Sequence, residues 1–215
     1  MNDLIQAMNS IRRAVSTGEL AAGEAHVVTA SRTYAAPVDD VWDALTNPKR
    51  IPRWFLPVEG DLRLGGTYQF AGNAGGEIRE CDPPRRLLVT WVMGEPGPDD
   101  SSIVEVVLEP VGEDETTLTL EHTAVVPPEM WEQFGPGSVG VGWDLGLLGL
   151  GAHLAGLEVG GPEDLETDPA MHTAMRASSD AWGEALAATG VDPESVAASV
   201  AATTAFYLPQ PPSAD

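Results

Sequence analysis

Cysteine occurs once in the chain, at Cys81, and lysine once, at Lys49. A lone cysteine excludes an internal disulfide, and a reducing interior is the default compartment. Basic residues are scarce: 11 Lys plus Arg stand against 33 Asp plus Glu, for a formal net charge of −22 over 215 residues. So acidic a surface repels nucleic acid and anionic lipid, both of which need basic patches. Salt-adapted proteins share this acidity. No long acidic block occurs, so the charge reads as a solvated surface rather than a tail. The N-terminus lacks a basic segment followed by an apolar run, so no signal peptide is expected and the cytoplasm is the natural location. None of the four histidines sits in H-E-x-x-H and Cys81 has no cysteine partner, so no zinc site of known spacing is present and no metal or cofactor is expected. No order of nucleophile, base and acid is legible, so no catalytic residue is assigned.

Apolar material is ample at 43% of residues, and the length suits one domain with appendages. One stretch dominates, Gly140 to Leu157, in which only Asp144 and His153 are polar. Trp143, Leu147, Leu150 and Leu154 fall on one face of a helix, with Gly142, Gly146, Gly149 and Gly156 beside them. A helix apolar all round is buried on most of its surface. Asp144 and the repeated glycines argue against a lone membrane span, and no second apolar span exists. Each interior glycine costs about 1 kcal/mol of helix propensity relative to alanine, so tertiary packing must hold this helix.

Around it the expected elements run in order. Leu4, Met8, Ile11 and Val15 predict an amphipathic helix from Met1 to Gly18. Ala25 to Tyr34 alternates as a strand. Pro37 opens a helix carrying Val38, Val41, Trp42 and Leu45, and a short helical turn follows through Ile51, Trp54 and Phe55. From Val58 short strands alternate with glycine turns: T-Y-Q-F, then E-I-R-E-C-D, then a central strand Arg86 to Met93, a loop over Gly94 to Asp100, and strands at Ile103 to Glu109 and Thr116 to Thr123. Turn spacing of about ten residues indicates an antiparallel meander. Glu77, Arg79 and Glu80 cannot be oriented, because a one-residue slip of register reverses them. Met130, Trp131 and Phe134 lead into the long helix. After the linker G-G-P-E-D, Asp168-Pro169 and Asp192-Pro193 each open a helix. The end of the chain, from Pro209, reads as a disordered tail. The resulting boundaries are an N-terminal helical segment 1–25, a domain 26–157, a helical extension 158–208 and a tail 209–215.

Five segments in this order resemble a known family: T-Y-A-A-P-V-D-D-V-W-D-A-L-T-N-P at 33–48, R-W-F at 53–55, D-L-R-L-G-G-T-Y at 61–68, E-C-D-P-P-R-R-L-L-V-T-W at 80–91 and L-T-L-E-H-T at 118–123. They are similar to the helix-grip, START-like (SRPBCC) superfamily, and within it to the bacterial branch named for the activator of Hsp90 ATPase. The resemblance covers residues 26–157. It implies an α+β, helix-grip (START-like) fold: a curved antiparallel sheet wrapped around a long C-terminal helix, here with extra N- and C-terminal helices. It also implies a cavity between sheet and helix, which in this superfamily serves lipid carriers, hormone receptors, cyclases and sensors. Fold does not decide among these.

The cavity candidates are Trp54, Tyr68, Phe70, Trp91, His122, Trp131, Trp143 and Leu147. Each has a core-packing reading beside its ligand reading. His122 shares a strand face with Leu118 and Leu120 and is either a hydrogen-bonded core histidine or a polar anchor. His153 is expected to meet the extension, Trp42 the core, and Trp182 to dock the extension. Gly135 to Gly140 formally matches G-x-G-x-x-G, but a dinucleotide site needs a preceding strand and a βαβ unit; a loop opening the long helix explains it equally. The leading expectation is a soluble protein binding a lipophilic small molecule, with no nucleic-acid partner and no membrane span. A chaperone-associated interaction module and a cyclase- or hydrolase-like enzyme are the alternatives. A homodimer or a protein partner stays open. Leu145, Leu148 and Ala152 point away from Trp143, so the two C-terminal helices are expected to cover that face, with Gly142, Gly146 and Gly149 allowing a close approach.

Overall fold

The structure, a computed structural model, describes residues 2–94, 101–158 and 167–208. The expected tail from Pro209, most of the loop after Gly94 and the linker after Glu158 lie outside these residues. Helix α1 (Asn2–Asn9) leads into a hairpin of β1 (Arg12–Leu20) and β2 (Gly23–Tyr34). Helix α2 (Val38–Thr46) and a 3-10 turn (Ile51–Arg53) follow. Then come β3 (Val58–Gly60), β4 (Thr67–Phe70), β5 (Gly75–Asp82), β6 (Arg86–Thr90), β7 (Ser102–Gly112) and β8 (Glu115–Ala124). Helices α3 (Pro128–Phe134), α4 (Gly137–Leu154), α5 (Pro169–Ala187) and α6 (Pro193–Tyr207) complete the described chain. Among the described residues eight strands form one antiparallel sheet in the order β1-β2-β8-β7-β6-β5-β4-β3. The helix-grip arrangement is present, with α4 laid across the inner face. No helix among the described residues is long and apolar enough to cross a membrane.

Register puts one apolar set on that inner face. Val104, Val106 and Leu108 lie opposite His122, Leu120 and Leu118, and Val28 and Ala30 continue the face onto β2. All are buried. The bulge between Ile78 and Glu80 settles the orientation that alternation left open. Ile78 pairs with Val89, and after the extra residue Cys81 pairs with Leu87. The extra residue re-phases the strand, so Cys81 rather than Glu80 takes the inner face.

The N-terminal segment differs from expectation. The helix stops at Asn9, and Arg12–Leu20 is a strand paired residue for residue with β2. The stripe through Val15 also fits a period of two, and the free edge of β2 pairs with the backbone groups of the segment that face it. Arg13 and Val15 consequently face inward.

Inward-facing Arg13 meets Asp144, which is fully buried on α4. The Arg13 Nε donates to Asp144 Oδ2 at 2.9 Å. The same oxygen accepts from Ser178 Oγ and from Trp182 Nε1, the latter at 3.1 Å. Thus α5 packs on α4, as expected, but the close approach is made by other glycines. A Cβ on Gly140 would lie 2.3 Å from the Trp182 ring, and one on Gly137 2.7 Å from Thr203 of α6. Gly142 meets only the Tyr207 hydroxyl at 3.5 Å, and Gly146 faces Phe55 on the opposite side. Asp168 and Asp192 cap α5 and α6 by accepting from backbone N–H groups of the first turn.

This packing generates two expectations. Gly140→Val should destabilise the full chain by about 1–3 kcal/mol in denaturant titration, because the added carbons overlap a buried ring. A chain ending at Glu158 strips Ser178 and Trp182 from Asp144 and bares the far face of α4. It should aggregate or dimerise in size-exclusion chromatography; a stable monomer would show that the extension is dispensable cover.

Candidate functional site

Between α4, the α2 and 3-10 segment, and strands β4 to β8 lies a cavity of about 170 Å3. It follows the inner face of β6, where Leu87 and Val89 line it, and continues to Trp91 just beyond the strand. Trp54, Tyr68, Phe70, Trp91, Trp143 and Leu147 meet here. Phe55 joins them, packing edge-on against Phe70 with ring centroids 5.0 Å apart. Trp91 and Trp143 approach to 4.7 Å, and Tyr68 stands edge-on to Phe70. Interlocked rings in tilted and edge-to-face geometry hold one another. A Cβ on Gly146 would lie 3.7 Å from Phe55. The missing side chain there leaves part of the space.

The polar atoms of this wall are mostly engaged inside the protein. Trp54 Nε1 donates to Ala44 O, the Tyr68 hydroxyl to Thr90 O, and Thr46 Oγ1 to Trp42 O. Burial pushes the Tyr68 phenol well above its ordinary pKa. Arg63 and exposed Cys81 stand at one end of the cavity. Trp91 Nε1 makes no hydrogen bond to any described residue.

His122 and Trp131 lie outside the lining. His122 sits behind Trp143, whose Nε1 donates to His122 Nδ1 at 3.1 Å. The ring proton is therefore on Nε2, which lies 2.8 Å from Ser102 Oγ. Burial lowers the His122 pKa to about 4. The histidine thus fixes the Trp143 indole, and the bland sequence reading of it describes its contacts. Trp131 stacks face to face on His26 at 3.6 Å, away from the cavity. Among the described residues His153 meets Arg50 and not the extension. Its Nε2 accepts from Arg50 Nε at 3.2 Å, and Arg50 is held in turn by Asp40 and Asp43. The Gly135 to Gly140 motif follows helix α3, not a strand, and opens α4. Gly135 has a φ of 55°, a conformation suited to glycine.

Phe55, Arg63, Cys81 and Gly146 are lining residues that are not among the cavity candidates from sequence. Phe55 had a signal, since it adjoins Trp54 on an apolar turn. Arg63 and Cys81 had none, because a loop and a bulge set their directions.

A buried neutral histidine makes stability depend on pH. The unfolded chain binds a proton near pH 6.5 that the folded chain refuses until about pH 4. This contribution is complete above pH 6.5 and is lost as pH falls towards 4, by at most about 3 kcal/mol. Protonation would also put two donors face to face at Trp143. His122→Leu should flatten this part of the stability–pH profile while lowering stability at pH 7.5 by about 1–2 kcal/mol. An unchanged profile in the variant would place the titration elsewhere.

The family described as Activator of Hsp90 ATPase homolog 1-like protein matches residues 35–155. Crystal and solution structures of CalU16 from Micromonospora echinospora are 38% and 40% identical to this chain. They cover 82% and 83% of it and 98% and 96% of their own chains, with TM-scores of 0.65 and 0.67. That coverage is wider than residues 35–155, so the likeness extends into the terminal segments. DynU16, a protein of the dynemicin biosynthetic locus, is 26% identical over 60% of this chain and 47% of its own, with a TM-score of 0.51. EF2215 from Enterococcus faecalis, 17% identical over 89% of this chain and 98% of its own with a TM-score of 0.59, shares the fold. No curated protein matches the chain.

Proposed function

The chain belongs to the family of Activator of Hsp90 ATPase homolog 1-like proteins, within the START-like superfamily, and from that premise we propose that it binds a small, largely apolar molecule between the sheet and α4. The observation that carries this reading is the cavity itself. Its wall is aromatic, and most of its polar atoms are already hydrogen-bonded within the protein. Such a wall gains little from water and favours an apolar guest, chosen by shape and by few polar contacts. A cavity of comparable size, about 150 Å3, takes benzene; the present one therefore suits a compact ring system. The likeness to a protein of a biosynthetic locus fits a small-molecule guest. A reducing compartment suits Cys81, which is exposed and unpaired.

The family description also supports a second reading, an interaction module that stimulates a chaperone ATPase. It would show itself as co-purification and ATPase stimulation that cavity substitutions leave unchanged. A cyclase- or hydrolase-like activity would need convergent titratable groups. The lining offers only Arg63 and Cys81 at one end and Tyr68, whose hydroxyl is engaged.

Titration with a panel of lipophilic aromatic compounds should quench tryptophan fluorescence and raise the melting temperature. Gly146→Leu places a side chain where the cavity now lies. It should weaken binding by about tenfold or more while the chain stays folded. No response of the unmodified protein across the panel would sink the binding reading.

A further inference from the structure

The cavity has two unlike ends. Leu87 on β6 and Trp91, the residue that follows β6, are four residues apart, about 13 Å along an extended chain. At the Trp91 end stand the Trp91 and Trp143 rings, with His122 behind. At the Leu87 end stands Cys81, its cross-strand partner. The loop from β3 to β4 runs beside this end. Gly65 N–H donates to Ile78 O, and Ile78 N–H to Gly66 O. Before Gly66 the chain turns over Arg63 to Gly66, beyond the pairing with Ile78 on the Cys81 side, and Arg63 and Cys81 both line the cavity. Arg63 is the charged side chain of the lining.

Its loop is closed by backbone hydrogen bonds: Asp61 N–H to Thr67 O, Arg63 N–H to Asp61 O, and Gly66 N–H to Arg63 O. A Cβ on Gly66 would fall 2.0 Å from Asp61 O, so the loop closes this tightly only with glycine there. The Arg63 Nε is held by Asp61 Oδ2 at 2.7 Å. The two terminal nitrogens make no hydrogen bond to any described residue. The pair is exposed on both sides, and the guanidinium N–H groups not used by Asp61 form a fork, the geometry that a carboxylate accepts. In a chain of net charge −22, an anion finds little other cause to settle here.

We infer that Arg63 selects the ligand class: an aromatic or alicyclic carboxylate whose ring system lies along β6 towards Trp91 and whose carboxylate sits at the opening on the Arg63 guanidinium. The inference rests on the cavity being the binding site and adds its polarity and direction. A neutral guest fills the same apolar wall without using the fork. Since Arg63 is exposed, the carboxylate keeps part of its hydration and the contact weakens with salt.

The test uses the full-length chain with 2-naphthoate and methyl 2-naphthoate, followed by tryptophan fluorescence and calorimetry. The unmodified protein should bind the carboxylate about tenfold more tightly than the ester at low salt, and the difference should shrink at 1 M salt. Arg63→Ala should lower carboxylate affinity far more than ester affinity and so remove the preference; Arg63→Lys should keep part of it. As an independent variant, Gly66→Ala should shift the loop and reduce the preference without touching the guanidinium. Equal binding of both probes, unaffected by Arg63→Ala, overturns the inference and leaves the cavity reading standing. Binding of neither probe overturns both.

Discussion

A single buried carboxylate holds the architecture together. Asp144 lies in an apolar helix, and its Oδ2 gathers Arg13 from the first strand with Ser178 and Trp182 from α5. Burying such ions costs several kcal/mol each; Oδ2 takes all three contacts, whereas the buried Oδ1 has no partner among the described residues. Burial pushes the Asp144 carboxyl above its ordinary pKa, while Arg13 and the two hydrogen bonds draw it back down. The partners come from segments more than thirty residues distant on either side. The node therefore fixes the rotation of α4 about its own axis. Trp143 is the preceding residue, about 100° around the helix, so the same rotation aims its indole at the cavity. A second tie acts further along: Arg32 Nη1 and the Tyr34 hydroxyl both donate to Leu147 O, joining β2 to α4.

With α4 fixed from behind, the inner face need not collapse. At about 24 cal/mol per Å3, an enclosed void of 170 Å3 would cost on the order of 4 kcal/mol relative to a filled core, an upper bound here because one end is open. The cost is carried by the aromatic lattice, by the His122 to Trp143 hydrogen bond and by the node on the far side. The cavity wall and the extension are thus two faces of one helix, and neither is set independently of the other.

Much of this was legible in the sequence. The alternation of Val104, Val106 and Leu108 against Leu118, Leu120 and His122 fixes the inner face of β7 and β8. The Asp-Pro pairs at 168 and 192 mark two helix starts, and the observed caps sit there. Period-two and helical spacing put Tyr68, Phe70, Trp91 and Trp143 on faces of their own elements, and the cavity that joins those faces is implied by the family resemblance. What escaped were features of tertiary context. Val15 fits both a helical and a strand period, so β1 was read as helix and Arg13 was lost as the partner of Asp144. The bulge that turns Cys81 inward breaks alternation within E-I-R-E-C-D. Trp131 has the composition of a cavity residue, yet α3 carries it to His26 instead. The position of His153 on the glycine-rich side of the long helix points to the extension, whereas its partner is Arg50, a hundred residues earlier.

The most direct test of the central claim, that α4 is held so as to keep a dry apolar cavity against the sheet, is a crystal structure of the chain under xenon pressure. Xenon occupies apolar cavities that exclude water. A xenon peak among Phe70, Trp91, Gly146 and Leu147, with the Asp144 contacts intact, is the expected result. Side chains filling that volume, or a chain of ordered waters along β6, would contradict it.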